Sequence, residues 1–292
     1  MSAARDWTEI AVRTLLRPFS DALYLRVAHR RYFGRWPELA RPRTLHEHIH
    51  SYLVRARDPR LVILADKVRV RDYIAQQVGE GHTVPMLGQW EHAADVPLET
   101  LPFPVVLKPS HASGRVLMLH AATQVLPGSH RRLLEKWLAH DYSRVNREWF
   151  YHHVPRRIVA EPILFGEDGD IPADCKAYVI GGRVRYFQVE RGRFMRPTRN
   201  LYSPQWQLLP VRGGYPRHAP QPPPPELPRM IELAQRLAEP FEFLRVDFLL
   251  TRDGLRISEL TSSPGAGFGR FYPASFGTEM GRWWSESQRC TP

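Results

Sequence analysis

Two acidic residues in the last quarter of the chain stand where a cation would be needed. In FLRVDFLLTRDGLRISELTSS, Asp247 and Glu259 fall in apolar runs that read as two strands joined at Asp253 and Gly254. Counting outward from that turn sets the two carboxylates opposite one another. Embedded in apolar sequence, they repel each other and resist burial unless something positive lies between them. Magnesium with a nucleotide meets that need, because the ion is commonly held by one or two carboxylates together with phosphate oxygens. The competing reading is that the acids face solvent or pair with Arg245 and Arg256. Arg245 precedes Asp247 by two residues and so projects from the same strand face, which favours a phosphate and metal site.

A second group of residues could serve the same chemistry. In KPSHASGR, Lys108 ends an apolar strand, and Ser110, Ala112, Ser113 and Gly114 are small enough for main-chain amides to approach a phosphate. The GxxxxGK spacing of a P-loop is absent. His111 in this loop is a candidate base for an amine, against the commoner role of a hydrogen-bonding histidine. Glu161, before a proline at the end of RRIVAEPIL, reads either as an edge charge or as an acceptor for a ribose or amino group. The bases add a further pointer. Of 41 Lys and Arg, only Lys67, Lys108, Lys136 and Lys176 are lysine, leaving 37 arginines. A bias towards arginine explains the majority, and the surviving lysines become candidates for reaching a phosphate oxygen as point charges.

The elements that must position these residues follow from patterning. Residues 7 to 32 predict one or two amphipathic helices broken near Pro18, and Thr44 to Val54 predicts a helix capped by Thr44 with Glu47 three residues on. A further helix is expected over Lys67 to Val78, a short strand at Pro85 to Trp90, and a boundary near residue 100 where prolines cluster. Beyond it come a strand, loop and strand around Lys108, a helix at His130 to Leu138, and a hairpin turning at Gly181 and Gly182. The proline-rich YPRHAPQPPPPELP reads as an extended surface loop, and Glu226 to Ala238 as a helix.

Composition narrows the classes. With 292 residues, 43% hydrophobic and 24% charged, the chain has the make-up of a globular protein of one or two domains, and disorder, collagen and coiled coil are excluded. No run of 18 to 20 apolar residues is present, and Arg5, Asp6, Glu9 and Arg13 occupy the place of a signal-peptide core; the expectation is a cytoplasmic protein without a transmembrane segment. Two cysteines, Cys175 and Cys290, leave no disulfide framework. The net charge of +11 favours anionic partners such as phosphorylated ligands, acidic glycans, nucleic acid or lipid headgroups.

Taken in order, YFGRWPELARPRTLHEHI, LADKVRVRDYI, VVLKPSHASG, NREWFY, RPTRNLY, FLRVDF and ELTSSPGAGFG resemble the TupA-like branch of the ATP-grasp superfamily, over about residues 30 to 284. The resemblance implies an α+β ATP-grasp fold, two α+β subdomains sandwiching ATP, behind a helical N-terminal region. It places residues 1–104 before the ATP-grasp domain at 105–292, with subdomains of about 105–165 and 166–292. It also implies that Lys67 and Lys108 contact adenine and the α and β phosphates, aided by the loop of Ser110, His111, Ser113 and Gly114. Glu161 would bind ribose or adenine, and Lys176 the γ phosphate. Arg245 would stabilise the transferring phosphoryl group, and Asp247 and Glu259 would hold magnesium. Many members have Asn two residues after the second metal acid; Thr261 stands there, a weaker ligand that acts through water.

The implied activity is an ATP-dependent carboxylate–amine ligase working through an acyl phosphate. The implied partners are a small-molecule or glycan carboxylate, such as a uronic acid, and an amine such as an amino acid, in surface polysaccharide or capsule synthesis. Gly265 and Gly267 would cradle the reacting carboxylate, and Arg196, Arg199 and Asn200 are acceptor candidates against a reading as a solvated basic loop. No nucleic acid is expected as partner, and peripheral association with membrane glycan machinery is compatible. Two rivals stay open: a glycosyltransferase of a polysaccharide cluster, and a non-enzymatic binder of an anionic polymer.

Overall fold

A computed structural model describes residues 18–192 and 195–289. The segment of the first expected helix before residue 18, and Cys290, lie outside the described residues; Cys175 is a buried free thiol. Helix α1 (Asp21–Phe33) begins after Ser20, whose hydroxyl accepts from the Leu23 amide, and stops at Gly34 in the left-handed region (φ 80°). Helix α2 (Leu45–Arg55) carries the expected reciprocal cap: the Glu47 amide donates to Thr44 Oγ1 and the Thr44 amide to Glu47 Oε2. Every residue of α2 from Leu45 to Leu53 is buried, so this helix is an internal strut despite its polar sequence.

Two helices follow where one was expected. Asp58 accepts from the Arg60 amide at 2.9 Å and starts α3 (Arg60–Ala65), a six-residue helix that the sequence reading did not predict. Asp66 then accepts from the Val68 amide at 2.9 Å, so α4 (Arg69–Val78) begins two residues later than expected and leaves Lys67 outside it. The strand expected at Pro85 to Trp90 is only β1 (Gly88–Trp90).

The strands form two antiparallel sheets. In the first, β1 pairs with β4 (Ile158–Pro162), β4 with β2 (Val105–Pro109), and β2 with β3 (Leu117–Leu119). Helix α5 (Pro127–Ala139) covers it with Leu134 and Trp137, closing a core of its own with Val96, Leu98, Val105 and Leu107. A short helix α6 (Ser143–Asn146) and a 3-10 turn (Trp149–His153) lead into β4. The second sheet runs β7 (Thr198–Tyr202), β6 (Arg183–Arg191), β5 (Asp174–Ile180), β8 (Phe243–Thr251), β9 (Gly254–Thr261). Its centre, β5, is buried at all seven positions, as expected of a strand covered on both faces. Helices α7 (Leu227–Ala238) and α8 (Ser275–Arg289) supply Met230, Leu233, Met280 and Trp284 to the same large core. No helix of the described residues is long and apolar enough to cross a membrane.

Helices α2 and α8 cross closely at Gly281, where a Cβ would stand 2.3 Å from the Arg43 carbonyl oxygen and 2.6 Å from Thr44 Cα. Elsewhere in a helix, Gly to Ala is stabilising by up to about 1 kcal/mol. Here Gly281→Ala is expected to destabilise by roughly 1–3 kcal/mol, read as a lower urea midpoint at unchanged m-value, because backbone would have to move. A raised midpoint would show that the crossing is looser than described.

Candidate active site

Two adjoining cavities occupy the space between the sheets. The first, about 520 Å³, is lined among others by Lys67, Val106, Lys108, Met118, Glu161 and Leu249. The second, about 290 Å³, takes in His46, Lys176, Gln188, Arg199, Arg245 and Gly265. Ser113, Gly114, Glu190 and Glu259 line both, so the two spaces share a wall. Their volumes lie at or near the range of small-molecule sites.

Strand alternation builds the first cavity. Along β2 the odd residues Val105, Leu107 and Pro109 are buried, which turns Val106 and Lys108 to the opposite face. Glu161 on β4 lies in register with Val106. Its carboxylate takes Lys108 on one oxygen and Arg71 on the other, each at 2.5 Å. Lys67 donates to the Ala112 carbonyl at 2.6 Å, and enclosure in the cavity wall pushes its ammonium down to about 8. Arg71, four residues after Lys67 in LADKVRVRDYI, was missed by sequence reasoning; the helical i, i+4 spacing was its signal.

Register builds the second. Gln188, Lys176, Asp247 and Glu259 are consecutive cross-strand partners on β6, β5, β8 and β9, so the second sheet aims them from one rung to one face. The count that set Asp247 about opposite Glu259 is met through a register shift between Asp247 and Phe248, where Ser258 is the extra residue on β9. Arg245 grips Asp247 with a two-pronged contact, Nε to Oδ1 at 2.6 Å and Nη2 to Oδ2 at 2.7 Å. Lys176 Nζ adds a bond to Oδ2 at 2.8 Å and lies 3.7 Å from both Asp174 and Glu190. Arg245 also donates to Thr261 Oγ1 at 3.0 Å and stands 3.7 Å from Glu259. Burial alone would raise the Asp247 carboxyl, which is 1% exposed, but Arg245 and Lys176 outweigh it and hold it below the ordinary range. Burial likewise opposes the charge on Lys176, and Asp247 chiefly restores it, to above the usual lysine value.

No cluster of three or more His, Cys, Asp or Glu side chains among the described residues forms a metal cage. A magnesium ion here would complete its shell with phosphate oxygens and water, the usual arrangement for that ion. Glu259 opens onto both cavities and fits that role. Asp247 accepts one bond on Oδ1 and two on Oδ2, which leaves a lone pair on Oδ1. The Thr261 hydroxyl already accepts from Arg245 and could reach a metal only through water.

Several expected contacts fall elsewhere. Ser110 is an anchor, its hydroxyl donating to the Pro155 carbonyl at 2.6 Å and accepting from the Arg157 amide. Buried His111 contacts the Trp137 carbonyl at 3.1 Å through Nε2, and burial drives its pKa to about 4; neither residue lines either cavity. Ser113 and Gly114 do line both. Gly265 and Gly267 line the second cavity as expected. Arg199 lines it too, but its Nε donates to Glu190 Oε1 at 2.8 Å and its guanidinium stacks over Tyr215. Asn200 is buried on the other face of β7, donating to Tyr202 and to the His218 carbonyl, and Arg196 is exposed and lines neither cavity. Glu148, in the NREWFY segment, was not singled out: it is buried, accepts from Ser263 Oγ at 2.6 Å, and burial lifts its pKa to about 7.

Comparison with known proteins identifies the family. The family described as TupA-like ATPgrasp matches residues 47–284. The chain belongs to the TupA-like ATP-grasp family. Its α+β architecture of two antiparallel sheets around the paired cavities is the ATP-grasp fold. Among solved structures, D-alanine–D-alanine ligase from Bacillus anthracis complexed with ATP is similar at 14% identity and TM-score 0.45, covering 78% of this chain and 67% of that one. The ATP-grasp ligase PsnB complexed with minimal precursor is similar at 13% identity and TM-score 0.43, covering 79% and 62%. L-amino acid ligase from Bacillus licheniformis is similar at 16% identity and TM-score 0.45, covering 90% and 56%. The chain thus spans between about half and two thirds of the length of these proteins. No curated protein matches the sequence.

The Asp247 cluster of this ATP-grasp chain gives a stability test with a defined sign. Asp247→Asn leaves buried Lys176 and half-buried Arg245 without their carboxylate, and breaking such a pair costs about 3–5 kcal/mol. The folded-state pKa of Asp247 is depressed, so its contribution is full above the unfolded carboxyl range and is lost as pH falls through the folded value. Chemical denaturation should therefore show a large deficit for the variant at pH 7 that shrinks below about pH 4. A deficit independent of pH would mean that the charge on Asp247 is not what matters.

Proposed function

We propose that the chain activates a carboxylate with ATP as an acyl phosphate and joins it to an amine. The observation that supports this most is the shared wall. A nucleotide in the first cavity, held by Lys67, Lys108 and Glu161, would reach towards Glu259 and Gly114, beyond which lie Arg245 and Lys176. A carboxylate in the second cavity would then stand beside the cations Arg245 and Lys176. In the transfer, a carboxylate oxygen bonds to the γ phosphorus while the bond to the β-phosphate oxygen breaks and ADP leaves. The amine nitrogen next bonds to the acyl carbon, phosphate departs with the electron pair of the broken C–O bond, and the nitrogen loses its proton.

Both partners in the first step are anionic, so the task is neutralisation and alignment. Lys108 binds phosphate oxygens once Glu161 yields it, with Arg71 left to balance that acid. Arg245 and Lys176 meet the developing charge near the γ phosphate. A magnesium ion on Glu259 and Asp247 would supply further neutral balance between the phosphates. Ser113 and Gly114, carried by a loop pinned at Ser110 and His111, limit access of water to the intermediate. In this reading residues 105–292 form the ATP-grasp domain, with β1 contributed from the preceding region.

The acceptor we infer is a uronic acid or related carboxylate of a surface polysaccharide, and the donor amine an amino acid. The TupA-like membership and the +11 charge support an anionic glycan. Arg199, which lines the second cavity, would meet it on leaving Glu190; Arg196 lines neither cavity.

Two measurements check the reading. Magnesium-ADP affinity should fall at least about tenfold in Lys108→Ala, the loss of a charge-assisted bond, and stay within about twofold in Lys136→Ala, whose lysine is exposed on α5. Equal losses in both would point to general destabilisation. Second, with ATP, magnesium and a panel of uronic acids and other carboxylates, hydroxylamine should intercept the acyl phosphate as a hydroxamate without any amine. Arg245→Ala should slow that product by a barrier of roughly 2.7–4 kcal/mol. Consumption of a nucleotide sugar in place of ATP would favour a glycosyltransferase instead.

A further inference from the structure

Three histidines from two helices meet beneath the glycine-rich turn that walls the second cavity. His46 and His50 lie one turn apart on α2, His29 comes from α1, and all three are buried. His50 Nε2 is 3.0 Å from the Ala266 carbonyl oxygen, and His46 Nδ1 is 3.1 Å from that of Gly267. His29 Nδ1 is 3.1 Å from His50 Nδ1. Phe33, Phe268 and Phe271 pack their rings around the group.

The contacts fix every proton. A carbonyl only accepts, so His50 carries its hydrogen on Nε2 and offers a bare Nδ1. His29 must then donate from Nδ1, which leaves its Nε2 bare, buried and without a partner. His46 likewise carries its hydrogen on Nδ1. The turn they hold is strained: Gly265 (φ 53°), Ala266 (φ 49°) and Gly267 (φ 80°) are all left-handed, and Ala266 has no glycine licence for it. A Cβ on Gly267 would stand 2.8 Å from the His50 ring, so the imidazole packs directly on backbone.

We propose that His29, His46 and His50 are positioning residues for the Gly265–Gly267 wall of the second cavity, and that they hold it only while all three rings are uncharged, which sets an acid limit on that wall. A proton added to His50 Nδ1 would set two N–H groups against each other across the contact with His29. One added to His29 Nε2 would make a cation with nothing to solvate it. The charged groups facing the cluster are Arg35, from the segment after α1, and Glu47 of α2, and these two are paired with each other at 2.6 Å. Burial first, then Arg35 for His29 and the neighbouring rings for the other two, push His29 and His46 to about 4 and His50 to about 3. The unfolded chain takes up these protons near pH 6.5, so the stabilisation is whole above that value and drains as pH falls towards 4.

The role in catalysis rests on the second cavity being the acceptor site, but the test needs no turnover. Hydrogen exchange of amides 262–268 in the full chain, corrected for intrinsic rate, is compared with that of β2 and β4. His50→Ala should raise exchange of the turn at least about fivefold at pH 7.5, the loss of one net hydrogen bond, while sheet protection and magnesium-ADP affinity hold. His50→Gln, which returns an N–H donor, should restore protection, and should keep it better than the parent between pH 6.5 and 4.5. Nitrogen-15 spectra should show His50 protonated on Nε2 and His29 on Nδ1 at pH 6.5. An unchanged turn in His50→Ala, a loss spread evenly over the sheets with no rescue by Gln, or a charged ring at pH 6.5 would overturn the proposal. Failure of the parent chain to bind magnesium-ADP would count against the ligase reading alone, since the exchange results decide the histidines independently.

Discussion

Asp247 is a carboxylate kept ionised inside a sheet, and the arrangement of that sheet follows from how it is compensated. Its contacts to Arg245 and Lys176 come from the register of β5 on β8 and from the two-residue period of β8. A slip of one residue between β5 and β8 would turn Lys176 away from Asp247, leaving an uncompensated buried charge at a cost of several kcal/mol, while Arg245, on the same strand and face as the acid, would stay with it. Yet the same two cations border the second cavity. An anion arriving there competes with Asp247 for Arg245 and Lys176, and the acid can release them only if another positive charge takes its side. Glu259, beside it on the rung and open to both cavities, is the group that would hold a cation there.

The two lobes meet at residues that belong to neither cavity alone. Each sheet has its own apolar cluster, so each can hold its geometry without the other. What bridges them is the loop after β2. Ser110 and His111 fasten that loop at its base to Pro155 and Trp137, and the anchored base carries Ser113 and Gly114 over the junction. A buried hydroxyl that both donates and accepts, as that of Ser110 does, stiffens a loop, whereas a loop that bound phosphate with every hydroxyl would have nothing to hold it in place when empty.

What the sequence revealed was local or anchored to a turn. The Asp253–Gly254 turn allowed counting to Asp247 and Glu259, Gly181–Gly182 located β5 and β6, and Thr44 with Glu47 announced α2. What it concealed depends on contacts between distant segments. Nothing near Ser110 or His111 tells that Pro155 and Trp137 will take their hydrogen bonds, and nothing in TRN tells that Asn200 turns inward while Arg199 turns to the cavity, because the phase of β7 is set by β6. The polar look of LHEHIHSYLV suggests an exposed face, but α2 is enclosed because α1, α8 and the Pro264–Gly267 turn supply partners for its histidines. Glu148 was hidden for the same reason, its partner Ser263 lying 115 residues away.

The division of labour between lysine and arginine is legible in both. Three of the four lysines line the cavities and the fourth is exposed, although arginine is nine times as common in this chain. Arg245 must satisfy a fixed carboxylate, and a planar fork with two aligned donors does that with little loss of freedom. Lys67 and Lys108 line the first cavity, where the proposed nucleotide would come and go. There a compact ammonium on a flexible stem can turn from a resting partner, the Ala112 carbonyl or Glu161, to a phosphate oxygen. Burial pushes the Lys67 ammonium down to about 8, and a phosphate arriving beside it would push it up again, a response closed to a guanidinium that never gives up its proton. Substituting arginine at Lys67 would keep the charge but lose that response and crowd the wall, which is why the compositional drift to arginine has a physical reason to stop there.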